Sequence, residues 1–149
     1  MKVLFVYPSP ILGEAPLGLL YLSAVLKKAG HKTALFELSP YRINLALRRH
    51  NPLKRDLLHH VAYLNPDLVG FSVDSTQYPL AIELSQCIKD DFDVPVVFGG
   101  AHPTVNPEDV IRQDSVDLVC VGEGEYALLE LLTRLEEDPS RMDSVPNIW

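Results

Sequence analysis

The sequence predicts an α/β domain of three layers: a doubly wound, parallel, five-stranded sheet with helices on both faces. Three observations predict it. Five short apolar runs alternate along the chain with longer helical patterns. The runs are continuously apolar, where a half-exposed strand would alternate, and such runs belong to strands covered on both faces. The 149 residues are 47% hydrophobic and 22% charged, enough to bury the core of one ordinary domain.

The elements follow in order. Residues 2–7 (KVLFVY) form the first strand. That run is too short for a signal-peptide core and lacks a small-residue cleavage site, so the expected compartment is the cytoplasm. Residues 16–29 read as a helix, with Pro16 opening it, Gly30 just past its end, and Leu19, Leu22, Val25 and Leu26 on one face. The second strand is 33–38 (TALFEL). A second helix spans 52–64, from Pro52 to the Asn65-Pro66 stop, with Leu57, Leu58, Val61 and Leu64 as its stripe. The third strand, 67–73 (DLVGFSV), leads to a helix over 79–90 that carries Leu80, Ile82, Leu84, Cys87 and Ile88. The fourth strand, 95–99 (PVVFG), is followed by a turn and a short helix over 107–113, opened by Asn106 and Pro107. The fifth, 116–121 (VDLVCV), precedes a leucine-rich helix over 125–137. Residues 1–137 then form the domain, and 138–149 (DPSRMDSVPNIW) read as a linker.

Charge and cysteine content exclude several functions. Thirteen Lys and Arg against 20 Asp and Glu leave a net charge of −7. Nucleic-acid and anionic-membrane binding need clustered cations, so neither partner is expected. The densest basic stretch, Arg48 to Arg55, reads as a solvated face. No apolar run approaches the roughly 20 residues of a membrane span. The two cysteines, Cys87 and Cys120, cannot build a four-cysteine metal site and read as buried, inert thiols.

Right-handed crossovers place any ligand outside the carboxyl ends of the strands, so the segments leaving those ends carry the functional search. After the first strand, Pro8-Ser9-Pro10 through Pro16-Leu17-Gly18 has neither a dinucleotide fingerprint nor a P-loop. Its prolines withhold amide donors, which disfavours phosphate and with it a flavin-binding electron carrier. Gly18 admits either tight helix–sheet packing or a flat ligand. After the third strand, Ser72, Asp74, Ser75 and Thr76 aim polar groups at the crevice, with capping of the next helix as the alternative for Ser75 and Thr76. After the fourth, Gly99-Gly100 permits either close approach of a ligand or a turn. If the pair faces a ligand, bulk at Gly100 should block entry with little loss of folding. His102 reads as a polar contact, a metal ligand or an exposed loop residue. After the fifth, Glu123 and Glu125 stand at the crevice rim and at a helix start, either as carboxylates for chemistry or as caps.

Taken together, Tyr7-Pro8, Pro16-Leu17-Gly18-Leu19, Gly30-His31, Pro66-Asp67-Leu68-Val69-Gly70-Phe71-Ser72, Gly99-Gly100-Ala101-His102-Pro103-Thr104, Asp117, Gly122-Glu123-Gly124-Glu125 and Pro146-Asn147 carry a likeness. The chain resembles the N-terminal cobalamin-binding domain of cobalamin-dependent radical SAM proteins, over nearly its whole length. The resemblance implies a flavodoxin-like strand order of 2-1-3-4-5. It also implies cobalamin held base-off, its nucleotide tail beside the sheet and its corrin over the strand ends. Ser72 matches the hydroxyl that meets the tail, and Gly99 and Gly100 match the pair that makes room for it. The loop over 9–18 would be the floor under the corrin, with Pro8, Ser9, Pro16 and Gly18 as contacts. Asp74, Ser75, His102 and Glu123 complete the expected cofactor-binding set.

Two departures qualify the resemblance. Methionine-synthase-like relatives place a cobalt-ligating histidine after the first strand, and here no histidine precedes His31. Cobalt is then expected without a protein imidazole below it, with His102 as the alternative. The radical SAM half binds a four-iron cluster through Cys-x-x-x-Cys-x-x-Cys, a spacing absent from this sequence. The chain alone is therefore not expected to cleave S-adenosylmethionine. Cluster and S-adenosylmethionine would belong to a missing radical SAM domain, in cis or in trans, and the Pro-Asn-Ile-Trp end favours continuation in cis. The expected function is a cobalamin module for methyl transfer. The alternative is a cofactor-free interaction module whose cobalamin site has decayed.

Overall fold

The computed structural model describes residues 1–9, 16–38, 52–138 and 145–149. The segment 10–15, most of the expected corrin floor, lies outside them, as do residues 48–51 of the basic stretch and 139–144 of the expected linker. Among the described residues five strands form one sheet: β1 (Lys2–Tyr7), β2 (Lys32–Glu37), β3 (Leu68–Ser72), β4 (Val96–Gly99) and β5 (Leu118–Val119). All pairs are parallel and the order is β2-β1-β3-β4-β5, the order expected. The helices are α1 (Leu17–Lys28), α2 (Pro52–Leu64), α3 (Tyr78–Asp91), α4 (Ala101–Val105), α5 (Pro107–Ile111) and α6 (Glu125–Glu137).

Register assigns each apolar residue to a layer. Phe5 lies opposite Gly70, Gly70 opposite Val97, and Val97 opposite Leu118. Because strand side chains alternate, this row faces one side of the sheet and the neighbouring row, Val6, Phe71, Phe98 and Val119, faces the other. The first side packs under α1 and α6, with Leu19, Leu26, Leu128 and Leu131 buried against it. The second packs under α2, α3 and α5, where Phe71 and Phe98 stack with ring centroids 4.8 Å apart. Over β1, β3 and β4 both faces are covered, which is why these strands carry no polar alternation, whereas β2 at the sheet edge leaves Lys32 and Leu35 exposed.

Local chemistry fixes the ends of the elements. Helix α1 closes in a Schellman arrangement: the His31 amide donates to the Leu26 carbonyl and the Gly30 amide to Lys27, both at 3.0 Å. Gly30 supplies the required φ of +92°. At the amino edge of the sheet, Asp67 accepts from the Lys2 amide at 2.6 Å and Asp117 from the Val96 amide at 2.7 Å. These carboxylates tie neighbouring strands together at the edge remote from the crevice.

Two segments differ from expectation. The turn expected after β4 is the short helix α4. Pro103 is tolerated there because it is the third helical residue, where an amide has no intrahelical acceptor. The fifth strand is shorter than 116–121: beyond Val119 one bond to β4 remains, from the Cys120 amide to the Phe98 carbonyl at 2.8 Å, while the Val121 amide donates to the Asn147 carbonyl at 2.9 Å. Val119 and Trp149 exchange amide–carbonyl bonds of 3.1 and 2.9 Å, so Asn147–Trp149 lies antiparallel along β5. The end of the expected linker is thus laid against the sheet. Among the described residues no helix is long and apolar enough to cross a membrane.

Candidate functional site

A cavity of about 500 Å³ opens at the carboxyl ends of β3, β4 and β5, on the face covered by α1 and α6. Its size is ordinary for a small-molecule site. Phe5, Gly70 and Val97, neighbours in the sheet register, form its inner surface. Leu19 and Leu22 from α1 and Leu128 from α6 form its sides. Gly70 belongs here for a steric reason: a Cβ at that position would stand 3.1 Å from Cδ1 of Phe5, so the missing side chain lets the ring lie against the sheet.

Glycines define the opening. Among the described residues, a Cβ on Gly18 would meet nothing within 4 Å, and one on Gly99 would meet Cys120, its Cβ at 3.6 Å and its oxygen at 3.9 Å. Gly100 differs. At φ +104° its Cβ would stand 2.7 Å from the oxygen and 2.8 Å from the nitrogen of Val73. Gly100 is therefore required by the approach of two chain segments, and bulk there would damage the fold. This corrects the expectation that such a change spares folding. Thr104 joins this turn to the next. Its hydroxyl donates to the Gly100 carbonyl at 2.8 Å and accepts from the Gly122 amide at 3.0 Å. Gly122 itself takes φ +77°.

Of the residues expected from sequence, Gly18, Ser72, Gly99, Gly100 and Glu123 line the cavity. Pro8, Ser9 and Pro16 are buried and stand off its walls. Asp74, Ser75 and His102 also lie outside it and form a separate group. The Asp74 carboxylate accepts from the Thr76 hydroxyl at 2.6 Å and from the amides of Thr76 and Gln77, building the turn into α3. The Thr76 hydroxyl above all, with those amides, holds the Asp74 carboxyl below its ordinary range. Ser75 Oγ lies 3.0 Å from Nδ1 of His102, whose ring packs on Tyr78 at 4.1 Å between centroids. His102 is thus a half-buried helical residue and not an exposed loop histidine.

The sequence reading missed Gly70, Leu22, Thr104, Gly124 and Leu128 as cavity residues. Gly70 alone carried a local signal, as an isolated glycine inside a strand run. Cys120 also lines the cavity. Burial, with smaller effects from the charges of Glu125 and Glu123, pushes its thiol up to about 11, so it stays protonated at neutral pH. Cys87 is half-buried, where full burial was expected. Among the described residues, no three His, Cys, Asp or Glu side chains are grouped to hold a metal ion.

A family model described as the B12 binding domain matches residues 13–132, most of the chain. The chain belongs to the B12-binding domain family. This B12-binding domain is 26% identical over 160 residues to the anaerobic magnesium-protoporphyrin IX monomethyl ester cyclase of Synechocystis sp., covering 97% of this chain and 30% of that protein. It is 30% identical over 158 residues to the hopanoid C-3 methylase of Methylococcus capsulatus, covering 99% of this chain and 28% of that protein. The radical S-adenosylmethionine methyltransferase TsrM of Kitasatospora setae, solved with cobalamin and a [4Fe-4S] cluster bound, superposes with a TM-score of 0.79 at 25% identity. That match covers 99% of this chain and 26% of TsrM. OxsB, a cobalamin-dependent S-adenosylmethionine radical enzyme solved with aqua-cobalamin and S-adenosylmethionine, shares the fold with a TM-score of 0.76 at 24% identity, over 99% of this chain and 20% of OxsB. The B12-binding domain thus spans less than a third of the length of these relatives.

Proposed function

We propose that this domain binds cobalamin base-off, takes its nucleotide arm into the cavity between α1 and α6, and presents the corrin to a radical SAM domain for methyl transfer. The observation that carries the reading is the cavity itself. It is apolar within, lies where parallel sheets bind ligands, and opens at Gly18 and Gly99, where a side chain would narrow it. The residues present fit the arm. Gly18 and Gly99 leave it room, the Ser72 hydroxyl at the end of β3 offers it a hydrogen bond, and the apolar side chains exclude water. Bound cobalamin would supply a cobalt centre able to carry a methyl group, while the protein orients it. Glu123 stands exposed at the rim, where it can meet polar substituents of the corrin. The engagement of His102, with Nδ1 3.0 Å from Ser75 Oγ and its ring packed on Tyr78, supports cobalt without a protein imidazole. TsrM and OxsB, of which this domain matches 26% and 20%, are radical S-adenosylmethionine enzymes, which supports a radical SAM domain as partner, in cis or in trans.

Anaerobic titration with hydroxocobalamin, followed by visible absorption and gel filtration, tests the binding. Retained colour with a shifted spectrum is expected, and a colourless protein peak refutes it. Reduction to the Co(II) form and EPR then test the base-off state. A spectrum without nitrogen superhyperfine splitting is expected, whereas a resolved splitting would show either the benzimidazole or a histidine on cobalt.

A further inference from the structure

The cavity has a chemical bias along its depth. The side chains on its inner surface and sides are Phe5, Leu19, Leu22, Val97 and Leu128, all apolar. Among the described residues, the polar side chains at the cavity are Ser72, Thr104, Glu123 and Glu125, with the weakly donating thiol of Cys120 one residue past β5. Ser72 is the last residue of β3, two positions beyond Gly70, and Glu125 opens α6. Thr104 already donates to the Gly100 carbonyl and accepts from the Gly122 amide. Polar groups therefore gather at the strand ends, while the mid-strand level at Phe5, Gly70 and Val97 presents only carbon from its side chains.

Corrinoids differ in the base that ends the nucleotide arm. An alkylated benzimidazole brings methyl groups and one free ring nitrogen once off cobalt. Adenine brings three free ring nitrogens and an amine. On the reading that the arm enters this cavity, we infer that the domain selects corrinoids ending in an alkylated benzimidazole over those ending in a purine. A purine seated among these five side chains gives up the water on its amine and ring nitrogens and finds no side-chain partner in return. The methyl groups of dimethylbenzimidazole instead bury area that water disfavours. The protein thus reads the base by withholding hydrogen bonds.

The test is equilibrium titration of the intact domain with four corrinoids: aquacobalamin, its analogue with unsubstituted benzimidazole, its adenine analogue, and cobinamide, which has no nucleotide. The unsubstituted benzimidazole form should bind about tenfold more weakly than aquacobalamin, from the two lost methyl groups. The adenine form should bind on the order of 100-fold more weakly. An adenine form that binds as tightly as aquacobalamin overturns the inference while leaving cobalamin binding intact. Cobinamide binding as tightly as aquacobalamin would put the arm outside the cavity and overturn both the inference and the placement beneath it. Failure of all four to bind refutes the proposed function itself.

Discussion

Gly100→Ala separates a glycine that shapes the chain from one that serves a ligand. The residue sits at φ +104° and ψ −167°, a region open to glycine and costly for other residues, by about 1–3 kcal/mol. The new Cβ would also meet Val73 backbone at 2.7 and 2.8 Å. That backbone is fixed from both sides, since the Val73 amide donates to the Gly99 carbonyl at 2.9 Å and the His102 amide to the Val73 carbonyl at 3.2 Å. It cannot retreat without breaking one of them, and forced repacking adds about 1–3 kcal/mol. The sum is roughly 2–6 kcal/mol, against the 5–15 kcal/mol common for a domain. At about 2–4 °C per kcal/mol for this size, the melting temperature should fall by roughly 5–20 °C. Thermal unfolding followed by circular dichroism, without any corrinoid, measures it. Gly99→Ala, whose Cβ meets only Cys120 at 3.6 Å, is the control and should stay within about 1 kcal/mol of wild type. A Gly100→Ala protein melting with the wild type would refute the reasoning.

Other changes test the site and its supports. Gly18→Leu should keep or raise stability by up to about 1 kcal/mol, because leucine is the better helix former, yet weaken hydroxocobalamin binding at least tenfold, about 1.4 kcal/mol, by filling open space at the cavity. Unfolding curves and gel filtration with the coloured ligand separate the two effects. Thr104→Val removes a donor to Gly100 and an acceptor for Gly122, and should cost about 1–2 kcal/mol and speed hydrogen exchange at the Gly122 amide. Thr104→Ser should restore most of that protection. The depressed pKa of Asp74 means its ionised form supports the fold above the ordinary value of 3.8, and this support fades as pH falls through the lower folded value. In urea titrations, Asp74→Asn should therefore be less stable than wild type at pH 7, with the gap closing in acid below that value.

The fold was legible because burial on both faces writes strands as unbroken apolar runs, and because Gly30 and Asn65-Pro66 mark helix ends by simple backbone chemistry. Helix α4 was hidden by Pro103, which reads as a breaker until its place in the first turn is known. The site was legible where the strands themselves supply it. Ser72 and Gly99 end strands, and both line the cavity. Asp74 shares the odd-even parity of Ser72, but β3 ends at Ser72 and the carboxylate turns back onto Thr76 and Gln77. Ser75 and His102 pair with each other next to Tyr78 instead of entering the cavity. Leu22 and Leu128 could not be singled out, since each is one leucine in a helical stripe and only the packing of α1 beside α6 brings both to one hollow.

The antiparallel segment along β5 bears on how this domain can be cut and handled. A sheet margin with open amides and carbonyls invites pairing with another chain, and a two-residue strand has little of its own to blunt that risk. Here Asn147 and Trp149 occupy those groups on Val119 and Val121. A version ending at Asp138 would keep α1 to α6 and still expose a sticky border, so self-association is the expected cost of trimming the last eleven residues.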